Sequence, residues 1–322
     1  MVEEVRMDRC RSVDASPSPP RHGTSPRRVA SVGLAAGLAL ASAATSAEPR
    51  ETRGASVATS FLRAGDAPLG AGVRIRERQA GLHAWSAERA LQGTILPGSL
   101  FRVGLDYAYT RFAFEGLPTR ARDLHHLHLP FAWRDRADGW LVVAAPVVAT
   151  SSNVFKDFLN RGGSDDIDLH VRLQVQRWRS TSTGWRLALL RDAAFGKPRF
   201  YPEAAILWRS ATAQAEIGLP SARAHWQVRH DLALGAAVFP AGGSWHVVSD
   251  ERGGAEFDYR ARAWRAALTA DWRPWRGFRA RAQAGTAFRR HYRFEDDTGA
   301  RIDRDAGSAP YWRLELGWEW RG

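Results

Sequence analysis

The chain has 322 residues, 14 of them Trp, and a formal net charge of +12 carried almost wholly by Arg, since Lys156 and Lys197 are its two lysines. Cys10 is the single cysteine and Met1 and Met7 the two methionines, all upstream of the cleavage site expected below, so the mature chain excludes a disulfide framework, a thiolate metal site and a cysteine nucleophile. A basic balance invites a nucleic-acid reading, but the arginines alternate singly with apolar residues instead of forming a stripe or tail. The phosphate-tracking arrangement is missing, and no nucleic-acid partner is expected.

Residues 1–25 are rich in Pro, Ser and charge, without periodicity. They read as a long n-region or as the product of an early start codon. Arg27 and Arg28 then precede an apolar run from Val29 to Leu40, followed by small residues at 41–47. That order is a secretory signal peptide spanning 1–47, cut after Ala47. The apolar run is too short to cross a bilayer as a helix, which takes about 20 residues. The Arg pair hints at folded-protein export, but the general route suits a chain that inserts unfolded.

Beyond Ala47 no apolar run approaches the length of a membrane helix, and alternation with period two recurs instead. Leu169, Val171, Leu173 and Val175 oppose His170, Arg172, Gln174 and Gln176. Phe278, Ala280, Ala282, Ala284, Thr286 and Phe288 oppose Arg279, Arg281, Gln283, Gly285 and Arg289. Trp312, Leu314, Leu316, Trp318 and Trp320 oppose Arg313, Glu315, Gly317 and Glu319. A soluble sandwich with one wet face alternates too. The aromatic ends of the apolar faces, the Arg-rich opposite faces and the signal peptide favour an all-β, antiparallel, up-and-down transmembrane barrel in the outer membrane.

Turn lengths set the strand count. Long connections are expected at 114–120, 151–165, 194–201, 251–256 and 292–308, and short ones at 135–137, 179–182, 241–242 and 273–275. With a turn at Pro220, residues 98–322 form a barrel of twelve strands. Residues 48–97 are a separate N-terminal segment. In it, 54–64 and 69–79 could add a hairpin and raise the count to fourteen, while Ala84 to Gln92 could be a short helix or plug.

Several stretches carry a resemblance: Leu105-Asp-Tyr-Ala-Tyr-Thr-Arg-Phe112, Ile217-Gly-Leu-Pro220, a Gly242-Gly-Ser-Trp-His-Val247 turn, and Trp312-Arg-Leu-Glu-Leu-Gly-Trp318. From about Gly104 onward the chain resembles an uncharacterised family of Gram-negative outer-membrane β-barrel proteins. The resemblance implies the fold and location but transfers no activity or site residue. Many such barrels end on an aromatic residue, whereas Trp320 here is followed by Arg321 and Gly322.

The lumen-facing candidates are Arg102, Asp106, Arg172, Arg186, Arg223, Arg279, Arg281, Arg289, Arg313 and Glu315. In an open lumen these arginines would concentrate anions. In a filled one they would pair with Asp106, Glu216, Asp271, Glu315 and Glu319. Asp123, His126 and His128 are weak metal candidates by donor type. Asp165, Asp166 and Asp168, and then Glu295, Asp296, Asp297, Asp303 and Asp305, read as solvated loop charge. An outer-membrane hydrolase would need a Ser held by a His and a third polar group. Ser244 and His246 share a strand face by spacing, and Ser151, Ser152 and His170 flank one long loop, but no nucleophile motif frames any of them. The expected function is therefore a narrow anion-preferring pore or transport barrel. The alternatives are a closed barrel acting through loops 151–165 and 292–308, and a lipid hydrolase. No cofactor is expected; the expected partners are outer-membrane lipid, lipopolysaccharide and the barrel-assembly machinery.

Overall fold

A computed structural model describes residues 54–68, 74–90, 99–115, 122–135, 139–250, 253–296 and 301–320. The chain divides into two units, Met1–Gly37 and Leu38–Gly322, and every described residue belongs to the second. The expected signal peptide and the tips 116–121 and 297–300 lie outside the described residues.

Among the described residues fourteen antiparallel strands form one closed ring. In chain order they are β1 (Ser56–Pro68), β2 (Arg74–Trp85), β3 (Ser99–Glu115), β4 in two halves (Arg122–His128 and Phe131–Asp135), β5 (Trp140–Ser151), β6 (Ile167–Trp178) and β7 (Thr183–Asp192). There follow β8 (Arg199–Arg209), β9 (Ala213–Leu219), β10 (Ala222–Arg229), β11 (Leu232–Ser249), β12 (Ala255–Trp272), β13 (Phe278–Asp296) and β14 in two halves (Arg301–Ala306 and Ala309–Glu319). Each strand pairs with its sequence neighbour, and β1 closes on β14 from Ser56↔Glu319 to Ala64↔Tyr311.

Residues 99–319 thus hold twelve of the strands, and the hairpin β1–β2 raises the expected twelve to fourteen. Ala84 and Trp85 finish β2, and Arg89–Ala90 bridges to β3, so these residues are not helical. Two expected connections are also corrected. β11 runs unbroken through 241–242, and β13 and β14 stay paired from Arg290↔Ala306 to Glu295↔Arg301, so most of 292–308 is strand. The 151–165 connection is a compact lid of two short helices, Ser152–Lys156 and Phe158–Arg161, with a 3-10 turn at Ser164–Asp166.

Alternation sorts the side chains as the sequence predicts. Facing out are Leu169, Leu173, Leu187, Ile206, Leu219, Leu268 and Leu316, all well exposed. Near the end where β1 begins and β14 finishes, Trp140, Trp178, Trp208, Trp272 and Trp318 circle the outside, the girdle that a lipid interface stabilises. At the opposite end the lumen is filled. Ile75, Phe112, Leu124, Trp245, Val247, Phe257, Tyr259 and Tyr292 pack there as one apolar cluster.

The wall is uneven in height. β9 has 7 residues and β10 has 8, whereas β11 and β12 have 18 each. β10 covers β11 only as far as Ala222↔Val238. Above that level β11 leans across to β5, with Thr150 and His246 in parallel register and Asn153 Nδ2 donating to Val248 O at 2.8 Å. The loop after β7 crosses the outer face of β11 at Gly242. That is why glycine stands there: a Cβ would lie 2.6 Å from Ala194 O and 2.8 Å from Gly196 N. Both are backbone atoms that cannot swing aside. The glycine pair that suggests a turn in the sequence marks a chain crossing.

Gly242→Ala is therefore expected to destabilise the refolded barrel by about 1–3 kcal/mol through overpacking, read as a lower urea midpoint in liposomes.

Candidate functional site

Below the apolar cluster lies a chamber of about 500 Å³, walled by the inward residues of nearly every strand. A ladder of charges crosses five consecutive strands along one side. Arg172 (β6) and Arg186 (β7) donate to Glu203 Oε1 (β8) at 2.8 and 2.9 Å. Arg186 also pairs with Glu216 (β9), which accepts from Arg223 (β10) at 2.6 Å. Arg279 and Arg281 share Asp271 Oδ2 at 2.5 and 3.1 Å, and Arg313 reaches Glu315 at 3.4 Å. Arg265 spans the lumen to Glu77 at 2.8 Å. Arg102 donates to the backbone carbonyls of Ser86 and Gly54 at the Trp-girdled end. Buried charges persist when paired in this way.

One lumen candidate is misplaced by the sequence pattern. Arg289 and Arg290 together oppose Ala263, and Arg289 has φ of 49°. This is a β-bulge, which inserts a residue and reverses the phase beyond it. Arg289 is exposed, and Arg290 takes the inward place, 1% exposed, donating to Tyr292 Oη at 2.8 Å.

The opposite wall carries histidines. Register places His83 (β2), Asp106 (β3) and His128 (β4) directly abreast. Asp106, wholly buried, accepts from His83 Nδ1 at 2.8 Å and from His128 Nδ1 at 3.2 Å. His83 Nε2 meets Ser60 Oγ of β1 at 2.9 Å. His126 and His170 stand beside His128, with ring centroids 5.9 and 5.2 Å away. Asp123 does not join them. It sits on the outward face of β4 and accepts from Tyr109 Oη at 2.6 Å, because odd positions of this strand face out. Among the described residues no group of three metal-type donors converges, which corrects the candidate set Asp123, His126 and His128.

Ser151 and Ser152, singled out in the sequence, find other partners. Ser152 Oγ meets His125 Nε2 at 2.7 Å, and Ser151 donates to Asn153; neither engages His170. Asp168 pairs with Arg191 at 2.6 Å, and Asp166 accepts from Gly163 N at 2.9 Å. These two carboxylates are anchored rather than free in solvent. Ser60 and His83 escape sequence reasoning because they belong to strands whose register is invisible in the sequence.

The chamber has an edge where the wall lacks hydrogen bonds. Residues 199–203 of β8 pair only with β7, and 239–243 of β11 only with β12. The tight turn at Pro220–Ser221 is the sill of this seam. The chamber is lined both by inward Phe239 and Ala241 and by outward Val238, Pro240 and Gly242 of the same strand. It therefore reaches both faces of β11 at this edge, where the loop after β7 lies over the outside.

No family model matches the chain, and no curated protein matches it. Among solved structures it is similar to an outer-membrane channel from Pseudomonas putida F1, at 9% identity and TM-score 0.43 over 83% of this chain and 96% of that one. It is also similar to the Pseudomonas putida toluene transporter TodX, at 10% identity and TM-score 0.36 over 82% and 89%, and to the NanC porin, at 7% identity and TM-score 0.33 over 83% and 100%.

Two outcomes follow from these contacts. Glu203→Gln leaves the buried Arg172 and Arg186 without their shared carboxylate, and is expected to cost about 3–5 kcal/mol in unfolding experiments. In the lid, Arg161 Nη2 lies 2.5 Å from Asp250 Oδ1 and holds that carboxyl below its usual pKa. A depressed carboxyl tethers above its unfolded pKa and releases as pH falls through the folded value. Hydrogen exchange in 152–161, referenced to its intrinsic rate at each pH, should therefore gain protection as pH rises from about 3 to 7, and Arg161→Ala should remove that gain.

Proposed function

We propose that this chain is an outer-membrane transport barrel whose chamber takes an amphiphilic molecule and exchanges it with lipid through the seam between β8 and β11. The observation that carries the reading is that the chamber reaches both faces of β11 at its unpaired edge. Strand length supports it. Seven residues of β9 rise roughly 18 Å at a barrel tilt of about 40°, less than the apolar band of about 25 Å. Leu219, at the top of β9, is 76% exposed, which suits lipid at the level of the sill. Beside the seam the chamber is lined by the apolar Pro220, Ala222, Phe239 and Ala241, and farther round the wall by charged side chains. That gradient fits a molecule with an apolar body and a polar head.

The same observations weigh against an anion-preferring pore. Arg172, Arg186, Arg223, Arg279, Arg281 and Arg313 each have a carboxylate partner among Glu203, Glu216, Asp271 and Glu315, so the field that would concentrate anions is reduced. The apolar cluster occupies the axial route. Lipid and the assembly machinery remain the partners that this reading implies.

In planar bilayers the refolded protein is expected to give no sustained conductance; a steady anion-selective channel would restore the pore reading. Ala241→Trp is expected to slow entry of a fluorescent fatty amphiphile into the chamber at least about tenfold. Leu268→Trp, on the outer face away from the seam, should leave entry unchanged.

A further inference from the structure

We infer that Ser60, His83 and Asp106 form a nucleophilic relay that cleaves carboxylic esters admitted to the chamber. The geometry is that of a charge-oriented serine: Oγ to Nε2 at 2.9 Å, and Nδ1 to a carboxylate oxygen at 2.8 Å. A carboxylate only accepts, so Asp106 fixes the proton on Nδ1 and leaves Nε2 to accept from Ser60. Its second oxygen is held by His128 at 3.2 Å, which locks the plane of the carboxylate. Three strands supply the three groups, and register sets their order.

Gly81 is the residue that makes the contact possible. It lies directly opposite Ser60 in register, between the serine and His83. A Cβ there would fall 2.7 Å from Ser60 Oγ and 3.4 Å from His83 Nε2. Any side chain at 81 would separate nucleophile from base. A polar filler of the lumen has no such requirement. His83 and Asp106 line the chamber, and Ser60 retains 5% exposure beside them. On β14, Glu315 stands directly opposite Ser60 and is paired with Arg313 at the diagonal position.

The chemistry closes without any further reagent than water. Ser60 Oγ bonds to the ester carbon as its proton passes to His83 Nε2. The tetrahedral adduct collapses, the ester C–O bond breaks, and His83 returns the proton to the departing alcohol. Water then attacks the acyl-serine and gives a proton to His83. The Oγ–C bond breaks, Ser60 regains its proton, and a carboxylic acid leaves.

The test uses refolded full-length chain in detergent, with folding verified by heat-modifiable gel migration. A fluorophosphonate probe should label the wild type at Ser60, and p-nitrophenyl butyrate should be hydrolysed. Ser60→Ala and Gly81→Ala should each abolish labelling, and His83→Gln should lower hydrolysis about 10³-fold. Ser60→Cys gives a second readout, since Cys10 is the only other thiol. Its alkylation at pH 6 should exceed that of the Ser60→Cys/His83→Gln double variant at least about tenfold. Labelling of the wild type at a different residue, no labelling at all, or equal alkylation of the two cysteine variants would overturn the proposal. Failed amphiphile entry with intact labelling by the small probe would instead count against the seam alone.

Discussion

A sheet that crosses lipid must satisfy every backbone N–H and C=O from within the protein, and the rest of this structure follows from that demand. The ring of fourteen strands meets it by closing β1 on β14. Once closed, each strand has one face for lipid and one for the lumen, and alternation becomes compulsory. The Leu and Trp faces and the Arg, Glu and His faces are two consequences of one hydrogen-bonding constraint. The seam gains its meaning from the same rule. It is a place where the described wall lacks its ladder, and the structure covers it with the loop after β7 and the lean of β11 toward β5.

Charge is organised by a second economy of partners. Most of the interior arginines find a carboxylate within a few ångströms, while Arg102 donates to backbone carbonyls and Arg290 to the Tyr292 hydroxyl. Desolvated guanidinium groups without partners would cost several kcal/mol each. The histidine wall obeys the same logic with weaker bases. There Asp106 serves two imidazoles at once, and the Ser60 contact exists because Gly81 leaves room for it.

Much of the architecture is written in the sequence where strands cross the apolar band. The faces of β6 and β14 read correctly residue by residue. The hairpin β1–β2 is harder to read because β2 extends beyond that band. Its outer face there carries the exposed Arg74 and Arg78, while Ile75 points into the apolar cluster. The usual polarity of a barrel strand is inverted at that height. Arg289 fails for a different reason: one extra residue in a bulge reverses the phase, and alternation carries no mark of it. The Gly242-Gly243 pair misleads because glycine serves chain crossings as readily as turns. The relay of Ser60, His83 and Asp106 is the least legible feature. Its members lie 23 residues apart in each step, and only the register of three strands brings them together.

The proposed route depends most heavily on the chamber opening sideways into lipid past the loop after β7. A bimane attached to the Ala241→Cys variant, refolded in liposomes, tests this directly. Ala241 faces inward, so in a sealed wall its label would be quenched by aqueous iodide and not by nitroxides on lipid acyl chains. The account predicts quenching by acyl-chain nitroxides to an extent comparable with an outward label at Leu268. Protection from lipid nitroxides with full access to iodide would contradict it.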